Sequence, residues 1–287
     1  MATRSTLSTH STYDFVVAIP SYKRHKLLVE KTLAYLKGKL DWSMIYVFIV
    51  DDPDEITNYT TILQPNNKDT THMYTGIHIV RGPLGLHNMR NFITEFFDTG
   101  VCILNLDDDI ENVMSLWVDD TVQDIKKASR YKLVNMDSFV DWTVKAFAML
   151  KDQGLYIFGI YPVKNGYFMK DLPEITNDLR FCVGTLWGCI NRKSMPRLTL
   201  EEKEDFERTL LYWKRDGSVV RFNHITIVTK YYKTPGGMQS RSIDRAEAAR
   251  KACTYLCYNF PRECKLYLGK KSGIPEVRLK GMRNDNI

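Results

Sequence analysis

The sequence predicts an α/β protein built on a doubly wound sheet flanked by helices, and three observations carry that expectation. Up to residue 110, apolar β-type runs alternate with helix-period segments, the pattern of successive βαβ units. Each apolar run in that region ends in a polar, loop-forming stretch: PSYKR, DDPDE, RGPLGLHNMRN and DDDIE. The 287 residues, 44% hydrophobic and 26% charged, can form one sizeable core, and no repeat or Pro/Gly/Ser-rich linker divides them. A single domain is expected.

The elements follow in order. FVVAI at 15–19 is the first strand, stopped by Pro20. Apolar residues at 27, 28, 33 and 36 give helical spacing from Lys26 to Leu36, and Gly38 ends that helix. MIYVFIV at 44–50 is the second strand, a helix-like stretch follows near 54–64, and IHIV at 77–80 is the third strand. Leu86, Met89, Phe92, Ile93, Phe96 and Phe97 share one broad helical face, and VCILNL at 101–106 is the fourth strand. Beyond 115 the pattern changes: a helix at 138–153, strand-like LYIFGIYPV and FCVGTLWGCI, the charged helix EEKEDFERTLLYWKRDG, and strand-like SVVRF and ITIVTKYY. From 243 the chain begins as a helix and ends in a basic segment.

Several classes are excluded or disfavoured by composition. No apolar run approaches the roughly 20 residues that span a bilayer, and MATRSTLSTHSTYD has no apolar segment of a secretion signal. A cytoplasmic protein without membrane contact is expected. Six cysteines without a CxxC pair indicate reduced thiols rather than a disulfide framework or zinc ribbon. The net charge of +6 permits a polyanionic partner without demanding one.

In a doubly wound sheet, ligands bind beyond the carboxyl ends of the strands. Asp107, Asp108 and Asp109, with Glu111 close behind, follow the fourth strand directly. Adjacent carboxylates repel unless a cation or basic groups compensate. An all-oxygen set points to Mg²⁺ or Mn²⁺ with positions open for phosphate oxygens; alternatively, Asp109 caps a short helix starting at Ile110. After the third strand, Gly82 and Gly85 precede His87, Asn88, Arg90 and Asn91 at a helix start, a turn suited to a diphosphate or a sugar. Asp51 and Asp52 end the second strand, where they either accept hydrogen bonds from a ribose or base NH or initiate a turn before Pro53. Pro20, Ser21, Tyr22, Lys23 and Arg24 follow the first strand. Tyr22 can stack on a base and Arg24 pair with phosphate, or the segment is an ordinary basic turn.

In the second half, Glu204 and Asp205 open a helix, with Arg208 and Gly217 downstream. A carboxylate there serves as a general base on an acceptor hydroxyl, or simply complements the helix macrodipole. His224 either completes a metal site or is a core histidine.

Together, IPSYKR, VDD, the Gly-containing loop running into MRN, and LDDDI resemble the donor half of GT-A glycosyltransferases. That resemblance implies a GT-A fold with a Rossmann-like mixed sheet, and a nucleotide-sugar donor. It places Asp107 and Asp109 at the metal-binding carboxylate positions. Pro20, Asp51 or Asp52, and Arg90 match other donor-side positions. KEDFERTLLYWKRDG resembles the helix that carries the catalytic base of inverting transferases, with Asp205 as the matching residue. If the reaction instead retains configuration, Asp205 sits near the acceptor or the sugar. A narrower similarity, to glycosyltransferases associated with TET/JBP oxygenases, rests on IPSYKR, Lys31-Thr32-Leu33, RNFI and LDDDI, over roughly residues 15–112. TPGGMQS at 234–240 matches that family's late Gly-Gly loop. This resemblance implies glucose transfer from UDP-glucose to a hydroxymethylated pyrimidine in double-stranded DNA, as in bacteriophage DNA modification; a glycan or protein acceptor is the alternative.

The expected organisation is a lead-in at 1–13, a nucleotide-sugar half at 14–115, an acceptor half at 116–242, and a C-terminal helix with a basic tail at 243–287. Basic text outside the donor loops supports a phosphate-bearing acceptor: Lys126, Lys127, Arg130 and Lys132; Lys230 and Lys233 beside Tyr231 and Tyr232; and Lys270, Lys271, Arg278, Lys280 and Arg283.

Overall fold

A computed structural model describes residues 13–64, 73–229, 236–237, 245–268 and 275–280. The first strand, β1 (Val16–Pro20), feeds a continuous helical segment made of α1 (His25–Leu28), a π-helical turn (Val29–Leu33) and α2 (Ala34–Leu36). Then follow β2 (Ile45–Val50), α3 (Pro53–Leu63), β3 (His78–Gly82), α4 (Leu86–Phe96) and β4 (Cys102–Leu106). Each matches its sequence expectation to within about two residues.

The second half contains β5 (Asn112–Val118), β6 (Tyr131–Asn135), α5 (Phe139–Gln153), β7 (Ile157–Ile160), α6 (Gly166–Met169), β8 (Ile175–Thr176) and β9 (Leu186–Ile190). It continues through α7 (Glu204–Asp216), β10 (Val220–Phe222), β11 (Ile225–Val228), α8 (Arg245–Asn259), β12 (Cys264–Tyr267) and β13 (Glu276–Leu279). The β5–β6 pair has no counterpart in the sequence reading, because its residues are half-exposed on both faces and show no clean alternation. Of FCVGTLWGCI only Leu186–Ile190 pairs as a strand, and the preceding residues run along the cleft described below.

The main sheet has eight strands in the order β3-β2-β1-β4-β9-β7-β10-β8. β3, β2, β1 and β4 are parallel, whereas β9 runs antiparallel to both β4 and β7. A second sheet, β11-β5-β6, begins three residues after Asp109, and β12-β13 forms a separate ribbon.

Period-2 alternation divides the strand residues between two cores. Val17, Ile19, Val47, Ile49, Leu104 and Leu106 pack on one face with Leu28, Leu33 and Phe139. Val16, Ala18, Tyr46, Phe48 and Ile103 pack on the other with Met89, Ile93 and Phe97 of α4, and Trp187 and Tyr212. Both faces of β1, β2 and β4 are therefore covered, which is why those strands read as unbroken apolar runs. A third cluster joins Leu210 of α7 to Cys253 and Leu256 of α8 and to Val277 and Leu279 of β13. All six cysteines are free, and five are buried, as expected of packing residues. No helix among the described residues is long and apolar enough to cross a membrane.

Packing is tight where α5 crosses the sheet. A Cβ on Gly188 would fall 2.2 Å from Phe158 Cε1, whose ring meets Trp142, Phe147 and Phe222 edge-on. The Gly188→Ala substitution is expected to destabilise the chain by about 1–3 kcal/mol through overpacking, read as a lower midpoint in urea denaturation.

Candidate active site

A cleft of about 740 Å³ opens at the carboxyl ends of β1 and β4 and is closed on its far side by the start of α7. Its floor is the turn Asp107–Asp109. Thr32, in the π-helical turn, holds this turn from behind: its Oγ1 donates to the Asp107 carbonyl at 2.8 Å and accepts from the Ile110 amide at 3.0 Å. Lys31 pairs with Glu111 at 2.8 Å one turn further on. The residues after Asp109 enter β5 and form no helix, so the helix-capping alternative for Asp109 is not what the structure contains.

The three aspartates point to different partners. Asp107 Oδ1 accepts from Arg90 at 3.0 Å. Asp108 is the most buried and is held on both oxygens, by Ser21 Oγ at 2.6 Å and Arg24 at 3.2 Å. Ser21 Oγ in turn lies 2.6 Å from the Tyr59 hydroxyl. Asp109 Oδ2 lies 3.9 Å from Arg24. Burial dominates their protonation: it raises Asp107 and Asp108 from 3.8 to about 6, and raises Asp109, with neighbouring carboxylates adding to the rise and Arg90 or Arg24 opposing it.

Across the cleft, Asp205 sits in the first turn of α7. Its Oδ2 accepts from the Gly184 amide at 3.3 Å and its Oδ1 from the Phe206 amide at 3.0 Å. Burial, then the neighbouring Glu204 charge, raises its carboxyl to about 7, against the opposing pull of Arg208. Lys203, just before the helix, has a left-handed backbone (φ 63) that a side chain tolerates at a cost of roughly 1–2 kcal/mol. That turn brings Glu204 and Asp205 to the cleft.

Of the residues singled out in the sequence, Pro20, Ser21, Tyr22, Arg24, Gly85, Arg90, Asp107, Asp108, Asp109 and Asp205 all line this cleft. Gly85, at φ 106, starts α4 with a backbone only glycine adopts freely. Arg90 lies behind Asp107, 3% exposed, and also donates to the Asn105 side chain and to the Gly184 carbonyl. Asp108 is occupied by Ser21 and Arg24, so its place is to hold the end of β1.

Three expectations, covering four residues, are corrected. Asp52 caps α3, accepting from the Asp54 and Glu55 amides at 3.0 and 3.2 Å, and Asp51 is exposed beside it; neither lines the cleft. The turn-initiating alternative therefore describes them. The Asn88 side chain turns back to the Leu84 carbonyl at 3.0 Å, within its own helix start, rather than to the cleft. His224 joins β10 to β11, with Nε2 2.9 Å from the Leu172 carbonyl, and lies outside the cleft lining. Of the Gly-Gly loop, Gly236 and Gly237 are described and the rest of 234–240 is not. The Gly237 amide donates to the Tyr22 carbonyl at 2.8 Å, and a Cβ on Gly236 would lie 2.6 Å from the Lys23 carbonyl oxygen.

The sequence reading did not find the segment Phe181–Thr185, Lys203 or Glu276, which also line the cleft. Phe181 stacks on Phe206 at 4.2 Å. A continuous apolar strand pattern concealed the first group. The β12–β13 pairing that brings Glu276 to the cleft carries no local signal.

No three His, Cys, Asp or Glu side chains among the described residues converge to cage a metal ion. The chemistry of the donor set nevertheless fits a hard divalent cation: Asp107 and Asp109 supply oxygen ligands only, and burial first, then neighbouring carboxylates, raises their proton affinity. Mg²⁺ and Mn²⁺ sites commonly use one or two carboxylates plus substrate phosphates and water.

No protein-family model and no curated protein matches the chain. Solved structures do. S. aureus TarS 1–349 in complex with UDP-GlcNAc matches with a TM-score of 0.50 and 14% identity, over 85% of this chain and 66% of that one. A second S. aureus TarS 1–349 structure gives a TM-score of 0.42 at 13% identity, over 85% of this chain and 65% of that one. The chain thus spans slightly less than two thirds of the TarS fragment. The first likeness shows the fold, a GT-A-like glycosyltransferase fold built on one mixed sheet, and does not reach the narrower DNA-modifying family.

Arg90, itself buried, compensates the buried Glu204 and the part-exposed Asp107, so Arg90→Met is expected to cost about 3 kcal/mol at pH 7. Because Asp107 binds its proton more tightly folded than unfolded, protonation favours the fold, and this contribution fades as pH rises from near 4 through about 6. The Arg90→Met penalty should therefore shrink between pH 7 and pH 5 in denaturant titrations. An equal penalty at both would contradict the Arg90–Asp107 pairing.

Proposed function

We propose that the chain is a nucleotide-sugar-dependent glycosyltransferase that moves a hexose from a UDP-sugar, UDP-glucose foremost, to an acceptor hydroxyl. One observation carries this reading: a carboxylate pair at the end of β4 and a separately mounted carboxylate on α7 face a single cleft in a GT-A-like fold. Asp107 and Asp109 would hold Mn²⁺ or Mg²⁺. That cation supplies Lewis-acid neutralisation of the departing diphosphate. Pro20, Ser21, Tyr22, Arg24 and Gly85 line the donor side, with residues 14–115 as the donor half and 116–242 as the acceptor half. Arg90 adds positive charge behind Asp107. Asp205 accepts the proton of the acceptor hydroxyl as its oxygen forms the new bond to the sugar's anomeric carbon and the bond to the diphosphate oxygen breaks. A carboxyl held at about 7 is half-ionised at neutral pH, the condition that favours a general base.

The preferred acceptor is a hydroxymethylated pyrimidine in double-stranded DNA. Residues 243–287 carry ten Lys and Arg against five Asp and Glu, which accounts for +5 of the chain's +6. On β12–β13, Lys265 stands directly opposite Arg278, both exposed, an arrangement of like charges that an anion relieves. Glu276 of the same strand lines the cleft, so this basic ribbon borders it. A glycan or protein acceptor is the second reading, favoured by the stacked Phe181–Phe206 pair in the cleft wall and by self-pairing in another basic run. Arg130 pairs with Asp120 and Lys132 with Asp119. Lys230, Tyr231, Tyr232, Lys233, Lys270, Lys271 and Arg283 lie outside the described residues.

Incubation of hydroxymethylcytosine duplex with several UDP-sugars and Mn²⁺ should add one hexose per modified base by mass spectrometry. UDP release with glycan acceptors, without any mass shift on DNA, would favour the second reading instead. Asp205→Asn is expected to lower kcat by about 10²- to 10⁴-fold, and Asp107→Asn to abolish Mn²⁺-dependent turnover; near-wild-type rates in either variant would sink that assignment. The wild-type rate should rise with pH through about 7 as Asp205 loses its proton.

A further inference from the structure

Glu204, first residue of α7 and neighbour of Asp205, is only 4% exposed. A glutamate serving the helix macrodipole alone would sit in solvent. Instead, its Oε1 lies 3.8 Å from Arg90 Nε and 3.8 Å from Arg208 Nη1. Both guanidinium groups stand over the Trp187 ring, Arg208 at 3.9 Å and Arg90 at 5.7 Å. Glu204 Oε2, Arg90 Nε, and Arg208 Nε and Nη1 are buried without a hydrogen-bond partner among the described residues. The row Arg90–Glu204–Arg208 is thus held by charge and by packing on indole, and a lone carboxylate buried there would cost several kcal/mol.

The row has a direction. Arg90 reaches the cation-holding side through Asp107, while Glu204 is joined by one peptide bond to Asp205. A second link runs alongside: the Gly184 carbonyl accepts from Arg90 at 3.1 Å, and the Gly184 amide donates to Asp205 at 3.3 Å. The backbone link is common to any residue at position 184, whereas the charge link depends on Glu204.

We propose that Glu204 is a positioning residue for the transfer, setting Arg90 and Asp107 on one side of the cleft against Asp205 on the other. This rests on the sugar-transfer reading above. Asp205 is faced by Glu204 and Arg208 of its own helix, by the Phe206 amide, and by Cys182 and the Gly184 amide from the segment before β9. Of these, Glu204 is the carboxylate that raises its proton affinity. Removing that charge lets Asp205 ionise at lower pH.

The test uses the full chain, with E204Q and E204D compared by kcat, KM and pH profile. E204Q should lower kcat by about ten-fold to 10²-fold, the order produced by a displacement of about 1 Å. KM for the UDP-sugar should change far less, and the acid limb of the pH–rate profile should move to lower pH. E204D keeps the charge but withdraws it by one methylene, so it should lower kcat and leave the limb in place. Wild-type kcat with an unmoved limb in E204Q, even with a reduced melting temperature, would make Glu204 merely structural and overturn the proposal. If E204Q does not fold, E204D decides alone, and wild-type kcat there overturns it. A carboxyl ¹³C NMR titration of Asp205 in wild type and variant needs no turnover. Failure of the wild type to release UDP with any acceptor would count against the transfer reading, while an unshifted Asp205 titration in E204Q would count against Glu204.

Discussion

The structure around the cleft depends on one electrostatic constraint: Asp107, Asp108, Asp109, Glu204 and Asp205 are brought to one cleft, Asp108 and Glu204 buried and the other three part-exposed. Three arginines make this tolerable. Arg24 serves Asp108 and Asp109, Arg90 serves Asp107 and Glu204, and Arg208 serves Glu204 again. Compensation is incomplete, since Asp107, Asp108 and Asp205 all hold their protons well above the usual carboxylate range. A surplus of buried negative potential is a poor way to stabilise a fold and a reasonable way to attract a cation.

The surrounding elements serve this constraint. Thr32 binds the acidic turn at both ends from within a π-helical turn, a distortion that places one side chain against two backbone groups. Asn105, buried in β4, accepts from Arg90 and so orients the guanidinium from the side opposite the cleft. Glu207 fixes the approach to α7 by accepting from the Thr199 and Leu200 amides. These contacts come from segments far apart in sequence. The site's geometry is therefore a property of the sheet order rather than of any motif.

That origin explains what the sequence disclosed and what it withheld. β1, β2 and β4 were legible because both faces of each are covered, giving apolar runs that composition alone marks out. The direction of β9 was not, since a buried antiparallel strand reads the same as a parallel one. Asp205 was singled out only by the resemblance of its helix to the base-bearing helix of inverting transferases, whereas the acidic triplet stood out because like charges at a strand end need a reason. Asp51 and Asp52 answered the same description, yet Asp52 caps α3 and the pair never faces the cleft. His224 satisfies a carbonyl, the ordinary fate of a histidine between apolar strands. Glu204 was seen but left ambiguous, because an acid at a helix start is already explained by the macrodipole. Its tie to Arg90 spans more than a hundred positions. The local hint was Arg208 one turn later, which gives an i,i+4 pair on a face that a solvent-exposed helix would leave open.

The two sides of the cleft also differ in how they respond to a charged ligand. On the β4 side, in the transfer reading proposed above, Asp107 and Asp109 would exchange a proton for a divalent cation, since the two compete for the same oxygens. On the α7 side, Asp205 owes its raised value first to burial and then to Glu204, and it touches neither oxygen of the β4 pair in any described hydrogen bond. Glu204 raises the proton affinity of Asp107 as well as that of Asp205, so a cation held by the β4 pair would offset a negative potential that both sides feel. Gly184 lies between the two halves, giving its carbonyl to Arg90 and its amide to Asp205, and so fixes their spacing through the backbone while Glu204 links their charges.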